Sequence, residues 1–144
     1  FVDTDPRVVD ALRERCAEWI KASQDAGGTV GSAEFHRTDA LAFVARSPTS
    51  GPRSGLGFDI VFLDPPFGAG LWGKAAARLE AGGWLAPKAF VYLEVPATCG
   101  DTEAAPPPGL PTTLKPWRDG TAGEVGYHLL RRDGRPASDE VPAT

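Results

Sequence analysis

The sequence has no methionine, two cysteines and two histidines among its 144 residues. Cys16 and Cys99 lie far apart, without the short spacing of zinc sites or the cysteine density of disulfide scaffolds. We therefore expect both to be reduced thiols in a cytoplasmic protein. His36 and His128 are equally separated and have no partner pattern, so neither is predicted to act as a base, and no metal site is predicted. We expect His128 to lie at the surface.

Long apolar runs and an excess of positive charge are also lacking. No stretch is long enough to span a bilayer, and no cleavable signal pattern opens the chain. The formal net charge of −4 argues against a general nucleic-acid binder, because nonspecific affinity comes from cationic groups that neutralise phosphates. One basic concentration stands out, and it suits either a solvated hairpin face or an RNA backbone contact: Lys115, Arg118, Arg131, Arg132 and Arg135.

The first half of the chain predicts two strands and two helices. A short strand over residues 1–3 is followed by Asp5 and Pro6, a favoured pairing at a helix N-terminus. Gly27 and Gly28 end this helix. A weak strand at 33–36 and a short helix at 40–45 follow. The apolar stripe of the first helix consists of Val9, Leu12, Cys16, Trp19 and Ile20.

The second half continues the alternation and then changes to a hairpin. Residues 58–63 form an apolar run typical of a buried parallel strand, and a helix over 71–79 ends at Gly82 and Gly83. The further predicted strands lie at 90–95, 112–117 and 124–132, the last two as an antiparallel pair. Loops are predicted at 47–57 and 98–111. We expect one α/β doubly wound domain over 1–133 and a disordered tail over 134–144.

Asp64-Pro65-Pro66-Phe67, directly after the predicted strand, is the most informative motif. An acid at the carboxyl end of a parallel strand lies at the ligand-binding edge of an open α/β sheet. The two prolines fix φ and remove two N–H donors, so the neighbouring carbonyls are pure acceptors. Two oxygen acceptors and a phenyl face suit a planar ring that carries an exocyclic amine.

In this position the motif resembles the fourth motif of S-adenosylmethionine-dependent methyltransferases that modify exocyclic amines of bases. More narrowly, the chain resembles the RsmD family, bacterial enzymes that methylate guanine N2 in 16S rRNA. The resemblance runs from Phe1 to about Asp133. Besides the Asp-Pro-Pro-Phe motif it rests on the segments at 1–5, 83–86, 91–94 and 122–127.

The resemblance implies roles for individual residues at the substrate. Asp64 and Pro65 would be catalytic, since the Asp64 carboxylate and the Pro65 carbonyl accept hydrogen bonds from the N–H groups of the guanine amine. Pro66 and Phe67 would bind the base, with Phe67 stacking on a nucleotide that is unpaired or flipped out. Glu94, near the end of the next predicted strand, is expected to face the same crevice, where it either binds and orients the base or simply caps its strand. The implied partner is 16S rRNA, in an assembling small subunit, and the implied enzyme is a monomer without a membrane association.

The resemblance also implies S-adenosylmethionine as the cofactor. Asp3 would accept hydrogen bonds from the ribose hydroxyls with Thr4 close by, and Asp39 and Ala40 would contact the adenine. Capping the following helix is an equally good explanation of Asp39.

The chain departs from the family pattern in one respect. The Gly-rich turn that cradles the methionine end of the cofactor precedes the strand that carries the ribose acid, and no such turn is found from Phe1 onwards. We therefore expect a Rossmann-like class I methyltransferase sheet that lacks its first strand and Gly-rich loop. The chain is expected to be a fragment, and weak or no cofactor binding is expected of these 144 residues alone.

Two other functions remain open from the sequence. Methyltransferases that act on DNA adenine or on protein glutamine also use an acid or Asn followed by Pro-Pro and an aromatic residue. A non-catalytic methyltransferase-like binding module is the alternative from a different class.

Overall fold

The structure is a computed structural model that describes residues 1–46, 57–67, 70–97 and 107–134. The chain divides into two compact units, Phe1–Phe43 and Val44–Thr144. Most of the predicted loops, the tail and Cys99 lie outside the described residues. Within the described part of the chain, no helix is long and apolar enough to cross a membrane.

The first unit contains two short parallel strands and a long helix. Strand β1 (Val2–Asp3) pairs with β2 (His36–Arg37), and helix α1 (Pro6–Asp25) lies between them in sequence. Helix α2 (Ala40–Val44) follows β2 and ends in the second unit. Strand β2 is shorter than predicted and begins at the last residue of the predicted 33–36 segment.

Helix α1 begins where the sequence predicts. The Asp5 carboxylate accepts a hydrogen bond from the Arg7 backbone N–H at 2.9 Å, and Pro6 occupies the first turn, where its missing N–H is not needed. Val9 and Cys16 are buried, and Cys16 is a free thiol. Trp19 was expected in the same stripe, but it is 63% exposed because it lies at the border of the buried face.

The second unit is a mixed four-stranded sheet with one helix. Its elements are β3 (Phe58–Leu63), α3 (Trp72–Ala81), β4 (Leu85–Pro96), β5 (Leu114–Ala122) and β6 (Val125–Arg132). The strand order is β3-β4-β6-β5; β3 and β4 are parallel, and the two pairs that contain β6 are antiparallel. The predicted terminal hairpin is confirmed. Both β4 and β5 are longer than predicted, and β5 continues through an irregularity between Pro116 and Arg118.

One face of this sheet forms the core of the unit. Val91, Leu93 and Val95 alternate along β4 and are fully buried, as is Leu130 of β6. Helix α3 contacts β4 and buries Ala76 and Leu79. This alternation is the period-two pattern of strands with one buried face.

The prediction that β3 is a buried strand was wrong. Ile60 is 57% exposed and Phe62 is 74% exposed. The reason is that these two side chains lie on the face opposite the core: Phe62 pairs with Tyr92, whereas the neighbouring Val91 and Leu93 point into the core. An apolar run indicates a strand, but it does not indicate how many sides of that strand are covered.

Two polar residues of β6 lie in the core. Arg132 is only 8% exposed, and its guanidinium donates to both carboxylate oxygens of Glu80 at 2.8–3.1 Å. Arg132 therefore links β6 to α3. The prediction that included it among the residues able to contact an RNA backbone was wrong, because its guanidinium is buried. His128 is 7% exposed, so its predicted surface position was also wrong. Burial lowers the pKa of His128 below its ordinary value, against a smaller opposing effect of Asp119.

Candidate active site

The Asp64-Pro65-Pro66-Phe67 turn leaves the carboxyl end of β3 at the surface of the second unit. Asp64 and Pro66 are exposed and Pro65 is half-buried. Phe67 is 37% exposed, so its ring is not a plug in the core. The turn therefore presents a carboxylate, backbone carbonyls without adjacent N–H donors, and an accessible phenyl ring along one short segment.

Strand pairing brings Glu94 next to Asp64. Leu63 pairs with Leu93 at the end of the parallel β3–β4 ladder, so Asp64, the first residue after β3, follows beside Glu94 of β4. Neighbouring strands lie about 4.8 Å apart. Two acids that are thirty positions apart in sequence thus come from adjacent strands at the same edge of the sheet, where open α/β folds bind their ligands.

Tyr92 lies on the same face of β4 as Glu94 and is close enough to Asp64 to feel its negative charge. Its hydroxyl donates to Glu94 Oε1 at 3.0 Å, and its ring lies 5.7 Å from that of Phe62 between centroids. The pKa of Tyr92 is raised, chiefly by burial, then by the hydrogen bond to Glu94 and by the negative charges of Glu94 and Asp64. Tyr92 therefore remains a protonated donor at neutral pH. The sequence prediction did not include it, although its spacing of two residues from Glu94 places both on one face of a strand.

The residues predicted for the cofactor lie in the first unit. The parallel pairing of β1 with β2 places Asp3 at the carboxyl end of β1, opposite Arg37, and Asp39 two residues further along the chain. One oxygen of Asp3 accepts the Asp5 backbone N–H at 2.7 Å. Thr4 lies in the exposed turn between them. Asp3 thus ends β1 and Asp39 follows β2, so the two acids lie at the carboxyl ends of adjacent parallel strands.

Asp39 also caps a helix. Its Oδ1 accepts the backbone N–H of Ala42 at 2.8 Å, and its backbone carbonyl accepts that of Phe43 at 2.9 Å. Both Asp39 and Ala40 are exposed. Asp39 therefore caps α2 through Oδ1, and its second carboxylate oxygen can still accept a hydrogen bond from a ligand.

A surface cleft of about 350 Å³ is lined in part by residues that follow the turn in the chain. It is formed by the first two turns of α3 and the segment before β5, and its lining consists of Gly70, Trp72, Gly73, Lys74, Ala77, Pro108 and Gly109. Neither Asp64 nor Phe67 is part of this lining. Among the described residues, no group of His, Cys, Asp or Glu could hold a metal ion.

Three of the predicted basic residues remain at the surface of the hairpin. Lys115 and Arg118 of β5 are exposed, and Arg131 of β6 lies over the Trp117 ring at 5.2 Å from its centroid. Trp117 is itself 52% exposed and meets Phe90 edge-on. Arg135 lies outside the described residues. This arrangement offers cations and an aromatic face to solvent on the same hairpin.

Comparison with known proteins identifies the family. The model of the family described as conserved hypothetical protein 95 matches residues 1–131. Ribosomal RNA small subunit methyltransferase D of Escherichia coli K12 is 35% identical over 112 residues, which cover 76% of this chain and 48% of that protein. The Haemophilus influenzae protein of the same name is 30% identical over 131 residues, which cover 91% of this chain and 58% of that protein.

A solved structure agrees with this relationship. The E. coli protein yhhF, which its description assigns to the methyltransferases, superimposes with a TM-score of 0.71 at 28% identity, over 93% of this chain and 63% of that one. The chain spans about half the length of the E. coli relative that it matches. The family model covers nearly all of the chain, and the predicted Rossmann-like fold agrees with the solved relative. This chain therefore belongs to the RsmD family of methyltransferases.

Proposed function

We propose that the full-length protein transfers a methyl group from S-adenosylmethionine to the exocyclic N2 of a guanine in 16S rRNA. The observation that carries the proposal is the exposed Asp64-Pro65-Pro66-Phe67 turn at the carboxyl end of β3, in a chain of the RsmD family. The enzyme would be a cytoplasmic monomer, and its substrate an rRNA in an assembling small subunit.

The turn can position an amine for methylation. Guanine N2 is a weak nucleophile because its lone pair is delocalised into the ring. The Asp64 carboxylate and the Pro65 carbonyl would accept hydrogen bonds from the two N–H groups of this amine. These hydrogen bonds would direct the nitrogen lone pair at the methyl carbon and stabilise the positive charge that develops on nitrogen. The proton then leaves N2 to Asp64 or to water. Alignment for in-line displacement supplies most of the remaining acceleration.

Phe67 would hold the base flat by stacking on it. Because Phe67 is partly exposed and follows the acceptors by two residues, a base that is unpaired or flipped out of its helix can reach both at once. Lys115, Arg118 and Arg131 would contact the RNA backbone and offset the acidic remainder of the chain. Pro66 would keep the turn rigid.

The edge formed by β1 and β2 fits a nucleoside cofactor. S-adenosylmethionine supplies an electrophilic methyl group on a positively charged sulfur. Asp3, with Thr4 beside it, would accept its ribose hydroxyls, and Asp39 and Ala40 would contact its adenine. The assignment rests on the acceptors present, since Asp3 ends β1, Asp39 follows the adjacent parallel strand, and each carboxylate can accept further hydrogen bonds.

The test is methyl transfer by the full-length protein with radiolabelled S-adenosylmethionine. Asp64→Ala is expected to lower kcat at least about a hundredfold, the scale of losing one well-placed stabilising group. Asp59→Ala is the matched control, because Asp59 is an exposed acid of the same strand outside the turn. Substrates are assembled small subunits, naked 16S rRNA and DNA.

The products decide between the proposal and its alternatives. N2-methylguanosine in rRNA supports it. Methylated adenine in DNA, methylated glutamine in protein, or cofactor binding without any transfer would each contradict it. A near-normal single-turnover rate of Asp64→Ala would reject the role of that carboxylate.

A further inference from the structure

Glu94 is left without a chemical role when Asp64 and Pro65 hold the amine. It nevertheless lies directly beside Asp64, since the pairing of Leu63 with Leu93 makes the two acids neighbours on adjacent strands. Its side chain is half-buried. A second carboxylate on the neighbouring strand can reach the base atom that lies next to the amine held by the first.

Tyr92 fixes the position of this acceptor. The Tyr92 hydroxyl donates to Glu94 Oε1 at 3.0 Å, and the Tyr92 ring is held against Phe62. Tyr92 stays protonated because burial and the adjacent negative charges raise its pKa. One Glu94 oxygen is therefore engaged, and a carboxylate retains lone pairs on the other for a ligand donor.

Guanine and adenine differ at the atom next to their amines. In guanine the N2 amine lies beside N1–H, a second donor. In adenine the N6 amine lies beside N1, which has a lone pair and no hydrogen. A carboxylate at this place would accept a hydrogen bond from guanine, whereas it would repel the adenine lone pair and remain unsatisfied. Sites built to hydrogen-bond a particular group strongly reject analogues that lack it.

We propose that Glu94, held in place by Tyr92, accepts the N1–H of the target guanine and thereby makes the site selective for guanine over adenine. Glu94 is a specificity-determining residue and Tyr92 a positioning residue that acts through it. The proposal rests on the proposed function, and it assigns the choice of base to a pair outside the Asp-Pro-Pro-Phe motif.

The experiment compares two RNA substrates. The nucleotide methylated by the full-length wild-type protein is located first, and a second 16S rRNA transcript is made with adenine at that position. Both transcripts are assembled with small-subunit proteins before the assay. Wild type, Glu94→Gln, Tyr92→Phe and the control Glu124→Gln, which removes an exposed acid of the β5–β6 turn, are assayed for kcat/KM on both transcripts. Mass spectrometry identifies the methylated nucleoside.

Glu94→Gln is expected to reduce the guanine-to-adenine ratio of kcat/KM by about tenfold or more, because the Gln amide can donate to adenine N1. Tyr92→Phe is expected to shift the same ratio in the same direction, mainly through KM for the guanine transcript. Glu124→Gln is expected to keep the wild-type ratio.

Loss of rate on both transcripts with an unchanged ratio would overturn the proposal, since a merely structural role would produce that result. So would a wild-type ratio in Glu94→Gln at a normal rate. Absence of transfer by the wild-type protein to either transcript would instead refute the proposed function itself, so the two failures are distinguishable.

Discussion

Removing one member of the buried Arg132–Glu80 pair is expected to destabilise the protein strongly. The Arg132 guanidinium makes three hydrogen bonds to the Glu80 carboxylate, and its Nη1 donates to the carbonyls of Leu85 and Ala86 at 3.1 and 3.4 Å. The two side chains are only 9% and 18% exposed. The pair is thus well satisfied, and neither charge can return to water without local unfolding.

The cost follows from what each change leaves behind. Glu80→Gln leaves a buried guanidinium without a counter-charge and is expected to lower the free energy of unfolding by about 3–5 kcal/mol. Replacing both residues, as Glu80→Leu with Arg132→Met, leaves no buried charge and is expected to recover most of that loss. Since domains are stable by about 5–15 kcal/mol, the single variant remains measurable.

The assay is urea unfolding of the full-length protein, followed by tryptophan fluorescence. With a slope of about 1–3 kcal/mol per molar, Glu80→Gln is expected to lower the midpoint by at least about 1 M. The control Asp10→Asn breaks the exposed Arg13–Asp10 pair, whose side chains are 55% and 66% exposed, and is expected to cost less than about 1 kcal/mol. A Glu80→Gln variant that loses no more stability than Asp10→Asn, or a double replacement as unstable as the single one, would contradict the proposed role of the buried pair.

Two further predictions concern His128 and Gly57. Burial lowers the pKa of His128, so as the pH falls the unfolded state binds the proton before the folded state does. The free energy of unfolding of the wild type is therefore expected to be highest above the ordinary pKa of 6.5 and to decrease as the pH drops below that value. The urea midpoint of His128→Gln should show a flatter pH dependence there, and an equal slope in both proteins would contradict this. Gly57 has a φ of +63°, and a Cβ would lie 2.6 Å from the Ala86 backbone nitrogen, so Gly57→Ala is expected to destabilise by more than about 1 kcal/mol. Gly31→Ala, where a Cβ would meet nothing within 4 Å, should change the midpoint much less.

Local signals in the sequence were enough for most of the elements. The Asp5-Pro6 pair marks the start of α1, and the apolar run over 58–63 has the same bounds as β3. These signals are local because capping, proline geometry and side-chain alternation depend on neighbouring residues alone. The same holds for the turn at 64–67, whose motif is contiguous in the chain.

Sheet position and buried pairing could not be predicted in this way. The exposure of Ile60 and Phe62 depends on which face of the sheet the other elements cover, and no residue of β3 encodes that. The burial of Arg132 depends on Glu80, fifty-two positions earlier. One sequence feature does indicate these burials. The alternation along β6 puts His128 and Arg132 on the same face as Leu130, so both are buried once that face is known to be the core.

The same alternation separates stability from the proposed chemistry in this sheet. Along β4, Val91, Leu93 and Val95 point into the core, whereas Tyr92 and Glu94 lie on the face that also carries Phe62. A strand residue belongs to one face or the other, so each substitution in β4 acts mainly on packing or mainly on the candidate site. Substitutions at Tyr92 and Glu94 are therefore expected to leave the packing of the core unchanged. A change in the guanine-to-adenine ratio of kcat/KM in these variants would then report on the candidate site and not on loss of stability.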